Sequence, residues 1–204
     1  RRKRNEVEKK RKKEKREKKR EKKKEDEEKF VVVSCNPEDM SKTYIEVFDI
    51  GKSTPVAGIT LDKFMPKAVC LEEGRFLIAD DSDILIVNSK MEKTEVIKGQ
   101  QIIYIKGNEN RAYGYAIIDG EDRIFQIDSD GTLKWEKALQ TDIQGFLVSQ
   151  KKLIIWKTQT LSMFTLKGNE FHTVETDSLI QQVMAIGGNR LVILTPRNAV
   201  IYKY

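Results

Sequence analysis

Arg123-Ile-Phe-Gln-Ile-Asp-Ser-Asp-Gly-Thr-Leu-Lys-Trp-Glu-Lys-Ala-Leu139 is the stretch that decides how the rest of the chain is read. Ile124 to Ile127 alternates apolar and polar side chains weakly, as a strand does. Ser129-Asp130-Gly131 then supplies turn chemistry, with Gly131 free to take positive φ. Thr132 to Trp135 opens a second extended run. The stretch reads as a β-hairpin, and loosely rewritten copies of it recur along the chain.

Working outward, the run Arg123–Ile127 has counterparts at Tyr44–Phe48, Ile84–Val87, Leu161–Thr165 and Ala199–Tyr202. Their starting positions, 44, 84, 123, 161 and 199, are 40, 39, 38 and 38 residues apart. Each is preceded by a near-continuous apolar run: Phe30–Val33, Phe76–Ala79, Tyr113–Ile118, Leu153–Trp156 and Leu191–Leu194. Such runs suit strands covered on both faces. Polar turns join the two at Asp80–Asp83, Asp119–Asp122, Lys157–Thr160 and Thr195–Asn198, with a longer one at Asn36–Thr43. First strands are expected at Ala68–Leu71, Ile102–Ile105, Gly145–Val148 and Val183–Ile186. More polar outer strands are expected at Pro55–Leu61, Glu95–Ile97, Leu133–Trp135 and Phe171–Val174, as suits an exposed edge.

Four short strands about every 40 residues, with no long helical pattern, point to an all-β repeat architecture. The period resembles that of the WD-repeat β-propellers. The run Ile127–Trp135 is similar to the blade motif of quinoprotein-like propellers. The Gly-His and Trp-Asp dipeptides of WD repeats are missing, and the single histidine, His172, lies in an outer strand. The resemblance implies a propeller or partial propeller of about four to five four-stranded blades over residues 30–204, with an incomplete ring. The first unit lacks a first strand, and the last stops after its third.

The first 29 residues differ from this body. They hold 18 basic and 9 acidic side chains, a net of +9, which leaves 20 basic and 23 acidic, a net of −3, for residues 30–204. The sequence pI of about 9.1 thus describes the arm. Opposite charges four apart (Glu6/Lys10, Glu8/Lys12, Lys13/Glu17, Glu14/Lys18, Lys22/Asp26, Lys23/Glu27) favour a helix, each pair adding about 0.2–0.5 kcal/mol. No apolar heptad seam of a coiled coil accompanies them. The arm is expected to be helical or disordered. Its nucleic-acid contact residues are expected to be Arg1, Arg2, Lys3, Arg4, Lys9, Lys10, Arg11, Lys12 and Lys13, neutralising RNA phosphates in a salt-dependent manner. Glu25–Glu28 would repel phosphate.

No constellation for catalysis emerges. Asp80, Asp81 and Asp83, and Asp119, Glu121 and Asp122, read as turn chemistry before metal ligands. The serines lack a Gly-x-Ser-x-Gly setting, and there is no glycine-rich phosphate loop. Trp135 and Trp156 are expected to pack in the core. Cys35 and Cys70 are expected to be buried free thiols. No apolar run approaches the roughly 18 residues of a membrane span, and the first residues show no secretory signal. The chain begins with Arg and not Met, so a fragment or processed form is expected.

From these features the chain is expected to be a non-enzymatic scaffold without cofactor, metal, membrane or small-molecule substrate. Its partners would be protein subunits at the propeller rim and RNA at the arm, in a large intracellular complex. A nuclear or nucleolar ribonucleoprotein assembly, such as one for ribosome biogenesis, is the first expectation. A cytoskeletal or ciliary subunit using the arm as a rigid spacer is the alternative.

Overall fold

The computed structural model describes residues 29–36, 39–72, 74–140, 143–149, 151–187 and 189–204. The arm to residue 28, with its expected helix and its nine expected phosphate contacts, lies outside them. Among the described residues every regular element is a strand, 18 in all. The described residues form two compact units: residues 29–66 together with 87–92, and residues 67–86 together with 93–204.

The first unit holds one antiparallel sheet in the order β1 (Lys29–Asn36), β2 (Asp39–Asp49), β3 (Ala57–Leu61). Lys29, read as arm, is already the first residue of β1. The long turn expected at Asn36–Thr43 is largely strand, because β2 begins at Asp39. Alternate residues of β2, Thr43, Ile45 and Val47, are buried. Thr43 Oγ1 donates to Lys63 O at 2.8 Å and accepts from Met65 N–H at 2.7 Å, which satisfies a buried hydroxyl. Phe30, expected to be covered on both faces, is 46% exposed. It stacks on its cross-strand partner Phe48, with ring centroids 5.2 Å apart, so only one of its sides is shielded.

The second unit contains four antiparallel sheets, each made from consecutive strands. They are β4 (Lys67–Cys70), β5 (Phe76–Ala79), β6 (Ile84–Val87), β7 (Lys93–Ile97); β8 (Gln101–Asn108), β9 (Arg111–Ile118), β10 (Glu121–Ile127), β11 (Leu133–Ala138); β12 (Gly145–Val148), β13 (Lys152–Trp156), β14 (Thr160–Thr165), β15 (Glu170–Glu175); and β16 (Gln182–Ala185), β17 (Arg190–Leu194), β18 (Ala199–Lys203). The last has three strands and the others four. The expected strands are therefore all present, with shifted ends. The turn expected at Asp119–Asp122 shrinks to Asp119-Gly120, both at positive φ (53° and 81°), the geometry of a two-residue hairpin.

Successive sheets pack face to face, and period-two side-chain direction explains how. In β9, Ala112 and Ala116 join Leu77, Ile84, Ile86 and Phe125 in one layer. Tyr113 and Tyr115, one residue out of step, join Phe146, Leu153 and Phe164 in the next. In β13, Leu153 and Ile155 feed that second layer, while Ile154 and Trp156 feed a third with Met163, Val183 and Leu191. A near-continuous apolar run is required because both faces of these central strands are covered. Burying one large aliphatic side chain in such a layer contributes about 1.5–3 kcal/mol. The outer strands β7, β11 and β15 are mostly exposed, as their polarity dictates.

The hairpin of the quoted stretch recurs in conformation as well as in sequence. Positive φ falls at Gly51, Met91, Gly131 and Gly168, which are 40, 40 and 37 residues apart. The same two backbone hydrogen bonds close the last three turns: Asp128 N–H to Thr132 O with Gly131 N–H to Asp128 O, and their equivalents at Asn88/Glu92/Met91 and Thr165/Asn169/Gly168. The first side chain of each turn is polar and accepts a backbone N–H of its own turn. Gly131 also lies against Ile86 of the preceding sheet, where a Cβ would stand 2.9 Å from the Ile86 side chain.

The cysteine expectation is corrected in part. Both thiols are free, but Cys35 is only half-buried and Cys70 is exposed. Cys70 ends the short strand β4, whose residues alternate between half-buried and exposed.

Candidate interaction surface

The carboxylates singled out in the turns have local partners. Asp80 Oδ1 accepts the N–H groups of Ser82 and Asp83, both at 2.7 Å. Asp81 pairs with Lys67 at 2.7 Å, and Asp83 accepts Gly99 N–H at 2.8 Å. Asp122 accepts the Tyr115 hydroxyl at 2.5 Å, and burial together with this carboxylate pushes the phenol pKa up. Glu121 and Glu136 both hold Arg123. Asp128 accepts Arg111 Nε–H at 2.7 Å, which holds its carboxyl below the usual range. These groups stitch turns and neighbouring strands. Among the described residues no three His, Cys, Asp or Glu side chains converge as metal ligands would.

The tryptophans pack as the sequence implies. Trp156 is buried against Gly145, its direct partner across β12 and β13. Trp135 donates Nε1–H to the buried Gln126 Oε1 at 2.8 Å and its ring covers Gly168 of the following sheet.

The surface that stands out is the last sheet, β16–β18. Strand β18 is bonded to β17 on one side, and its other edge has no partner among the described residues. The alternation of hydrogen bonds can be read from the ends of the pair. Thr195 N–H bonds to Asn198 O, and Tyr204 N–H bonds to Asn189 O. With the register Ile193↔Val200 and Leu191↔Tyr202, the backbones of Val200 and Tyr202 therefore face β17. Those of Ala199, Ile201 and Lys203 face outward. Their side chains share a face with the cross-strand row Met184–Val192–Ile201. Ile201 is 64% exposed and Met184 38%.

On the opposite face, Val200 and Tyr202 border a cleft of about 220 Å³ between the third and fourth sheets of this unit. Val174, Ile193, Glu175 and Asp177 also line it. Beside it, His172 Nε2 is hydrogen-bonded to the Tyr202 hydroxyl, with the two rings stacked at 5.8 Å. Lys152 Nζ sits 3.6 Å from the Tyr204 ring centroid and 5.0 Å from that of Phe171, and burial lowers the lysine pKa. These contacts fix Tyr202 and Tyr204 and so hold β18 in place.

The nine expected arm residues, Arg1 to Arg4 and Lys9 to Lys13, lie outside the described residues, so the structure brings none of them to this surface. The three strands of this sheet were legible as the apolar runs Val183–Ile186, Leu191–Leu194 and Ala199–Tyr202. The cleft was not, because Val174 and Glu175 come from the preceding sheet and Asp177 from the connection after it.

The chain is similar in fold to solved propellers. It aligns with the N-terminal domain of Nup159 at a TM-score of 0.56 and 12% identity, over 80% of this chain and 49% of that one. For the Pan2 WD40 domain of Neurospora crassa the values are 0.54 and 12%, over 81% and 56%. For BBS1N, solved in complex with ARL6DN, they are 0.52 and 15%, over 85% and 60%. The chain thus spans about half to three-fifths of the length of these structures. At such identities the likeness shows the fold alone, and the repeats are β-propeller repeats. No curated protein matches the chain significantly in sequence. A family model described as a family of unknown function, DUF5711, matches residues 24–202.

Proposed function

Because the chain belongs to the DUF5711 family, whose function is unknown, its role is read from its surfaces, and we propose that it is a non-catalytic protein-interaction scaffold. The observation that carries this reading is the last sheet, where the apolar side chains of Met184, Val200 and Ile201 are exposed. Exposed apolar side chains gathered on one sheet suit contact with another protein. The complex of BBS1N with ARL6DN supports it by analogy of fold.

We place the scaffold in a large intracellular complex, and first in a nuclear ribonucleoprotein assembly. The charge of Arg1 to Lys13 supports phosphate contact there. Two measurements test the reading. A tagged chain should co-purify with partner subunits at fixed stoichiometry; a chain that runs alone under all conditions contradicts the scaffold. RNA affinity should fall steeply with salt for the full chain and be much weaker for a chain starting at Phe30. Equal affinities would remove the phosphate-contacting arm and leave the scaffold.

A further inference from the structure

We propose that the seam between the β8–β11 and β12–β15 sheets carries, at one end, a band of lysines that binds the phosphates of single-stranded nucleic acid. Its members are Lys106, Lys137, Lys151 and Lys167. The inference rests on the RNA contact proposed above for Arg1 to Lys13, and adds to it a surface on the folded body.

Strand order gathers the band. In a sheet of consecutive antiparallel strands the first and third turns lie at the same end. Asn108 Nδ2–H donates to Ser149 O at 3.0 Å, which joins the first turns of the two sheets. The Trp135 ring lies against Gly168, which joins the outer strand β11 to the third turn of the next sheet. Lys106 is the cross-strand partner of Tyr113, so it shares the face of β8 and β9 that packs on the β12–β15 sheet. Lys151 stands in the turn after Ser149 and Lys167 directly precedes Gly168; with Lys106, both are exposed. Lys137 Nζ sits 5.0 Å from the centroid of Phe164 and 3.5 Å from Gly168 O. From inner to outer strand such a sheet measures about 14 Å, so the cations span a path that several consecutive phosphates can follow.

The band lacks counter-charge. Asp128 takes up Arg111 at 2.7 Å and Lys134 at 3.8 Å. The four lysines form no ion pair among the described residues. Of the other carboxylates in or beside these turns, Asp130 is engaged by Thr132 at 2.6 Å and Glu170 by Thr173 at 2.9 Å, which leaves Glu109. The opposite end of the β8–β11 sheet carries Asp119, Glu121 and Asp122, so the field steers a polyanion toward the lysine end. Among the described residues none of the large exposed hydrophobic side chains falls in the four turns here. An acidic peptide would therefore find charge without the buried anchor that protein interfaces rely on. A phosphate chain needs only the charge, and the half-buried Trp135 offers a ring on which a base can stack.

The test uses the full 204-residue chain with two probes, a labelled oligouridylate and a polyglutamate peptide. Binding is read by fluorescence anisotropy across a salt series, and contact by mass-spectrometric footprinting of lysine acylation. The oligouridylate should protect Lys106, Lys151 and Lys167 from acylation. The triple variant Lys106→Gln/Lys151→Gln/Lys167→Gln should weaken its binding about tenfold or more and reduce the salt slope by about two. A triple of equal charge change at the opposite end, Lys98→Gln/Lys157→Gln/Arg197→Gln, should cost less than about twofold. Equal losses in the two triples would overturn the proposal, since net charge alone would then explain binding. Protection confined to the lysines of the arm would overturn it and leave the RNA contact of Arg1 to Lys13 standing; no binding of the oligouridylate at all would remove both. Equal protection of the same lysines by polyglutamate would make the band a peptide surface and overturn it as well.

Discussion

Phe125 covers the face of Gly114, its direct cross-strand partner in β9 and β10, so closely that a Cβ at position 114 would lie 2.1 Å from the ring tip. The pairing lets an aromatic ring reach across the strand into the layer shared with the preceding sheet. Gly145 and Trp156 repeat the arrangement in the next sheet. Gly114→Ala should therefore destabilise the chain by about 1–3 kcal/mol, the usual cost of overpacking. Denaturant unfolding measures this. Adding Phe125→Leu should recover part of the loss, because the two residues are in contact and their effects do not add.

Met91 occupies the left-handed position that Gly51, Gly131 and Gly168 take in the equivalent turns. A non-glycine residue there carries about 1–2 kcal/mol of local strain. Met91→Gly should relieve it, offset by the greater freedom of glycine in the unfolded chain. A gain of about 0.5–1 kcal/mol in thermal or denaturant unfolding is expected. A clear loss would mean that the Met91 side chain contributes more than the turn costs.

The Asp128–Arg111 pair fixes the start of the quoted hairpin turn at 2.7 Å, with the carboxylate side chain 21% and the arginine 42% exposed. The exposure limits its worth to about 0.2–1 kcal/mol. The arginine's hydrogen bond, its largest cause, lowers the folded carboxyl's pKa below the unfolded value. The contribution is therefore complete above about pH 4, near the unfolded pKa, and is lost as the pH falls through the folded value. Stability curves of the parent chain and Asp128→Asn should differ at pH 6 and converge toward about pH 2. A gap that widens on acidification would contradict the assignment.

Much of this was legible because strand period and turn chemistry are local. The 38–40-residue spacing located all five sheets, and the apolar runs Tyr113–Ile118 and Leu153–Trp156 marked the strands covered on both sides. Turn lengths were less legible. Asp119-Gly120 and Glu109-Asn110 make tight two-residue turns that a run of polar residues does not delimit. Cys70 looked buried from its neighbours and is not, because a four-residue strand gives too short a pattern to fix its face. The cleft beside β18 escaped sequence reading because two sheets line it, Val174 and Glu175 from β15 and Ile193, Val200 and Tyr202 from β17 and β18. Glu175 and Val200 meet only through the packing of β15 beside β18.

The central claim is that β16–β18 form a separate antiparallel sheet in which β18, among the described residues, is bonded to β17 alone. Residue-resolved amide hydrogen exchange of the free chain tests it most directly. Ala199, Ile201 and Lys203 should exchange rapidly while Val200, Tyr202 and Tyr204, bonded toward β17, are protected. Uniform protection along β18, or uniform exposure, would contradict the account.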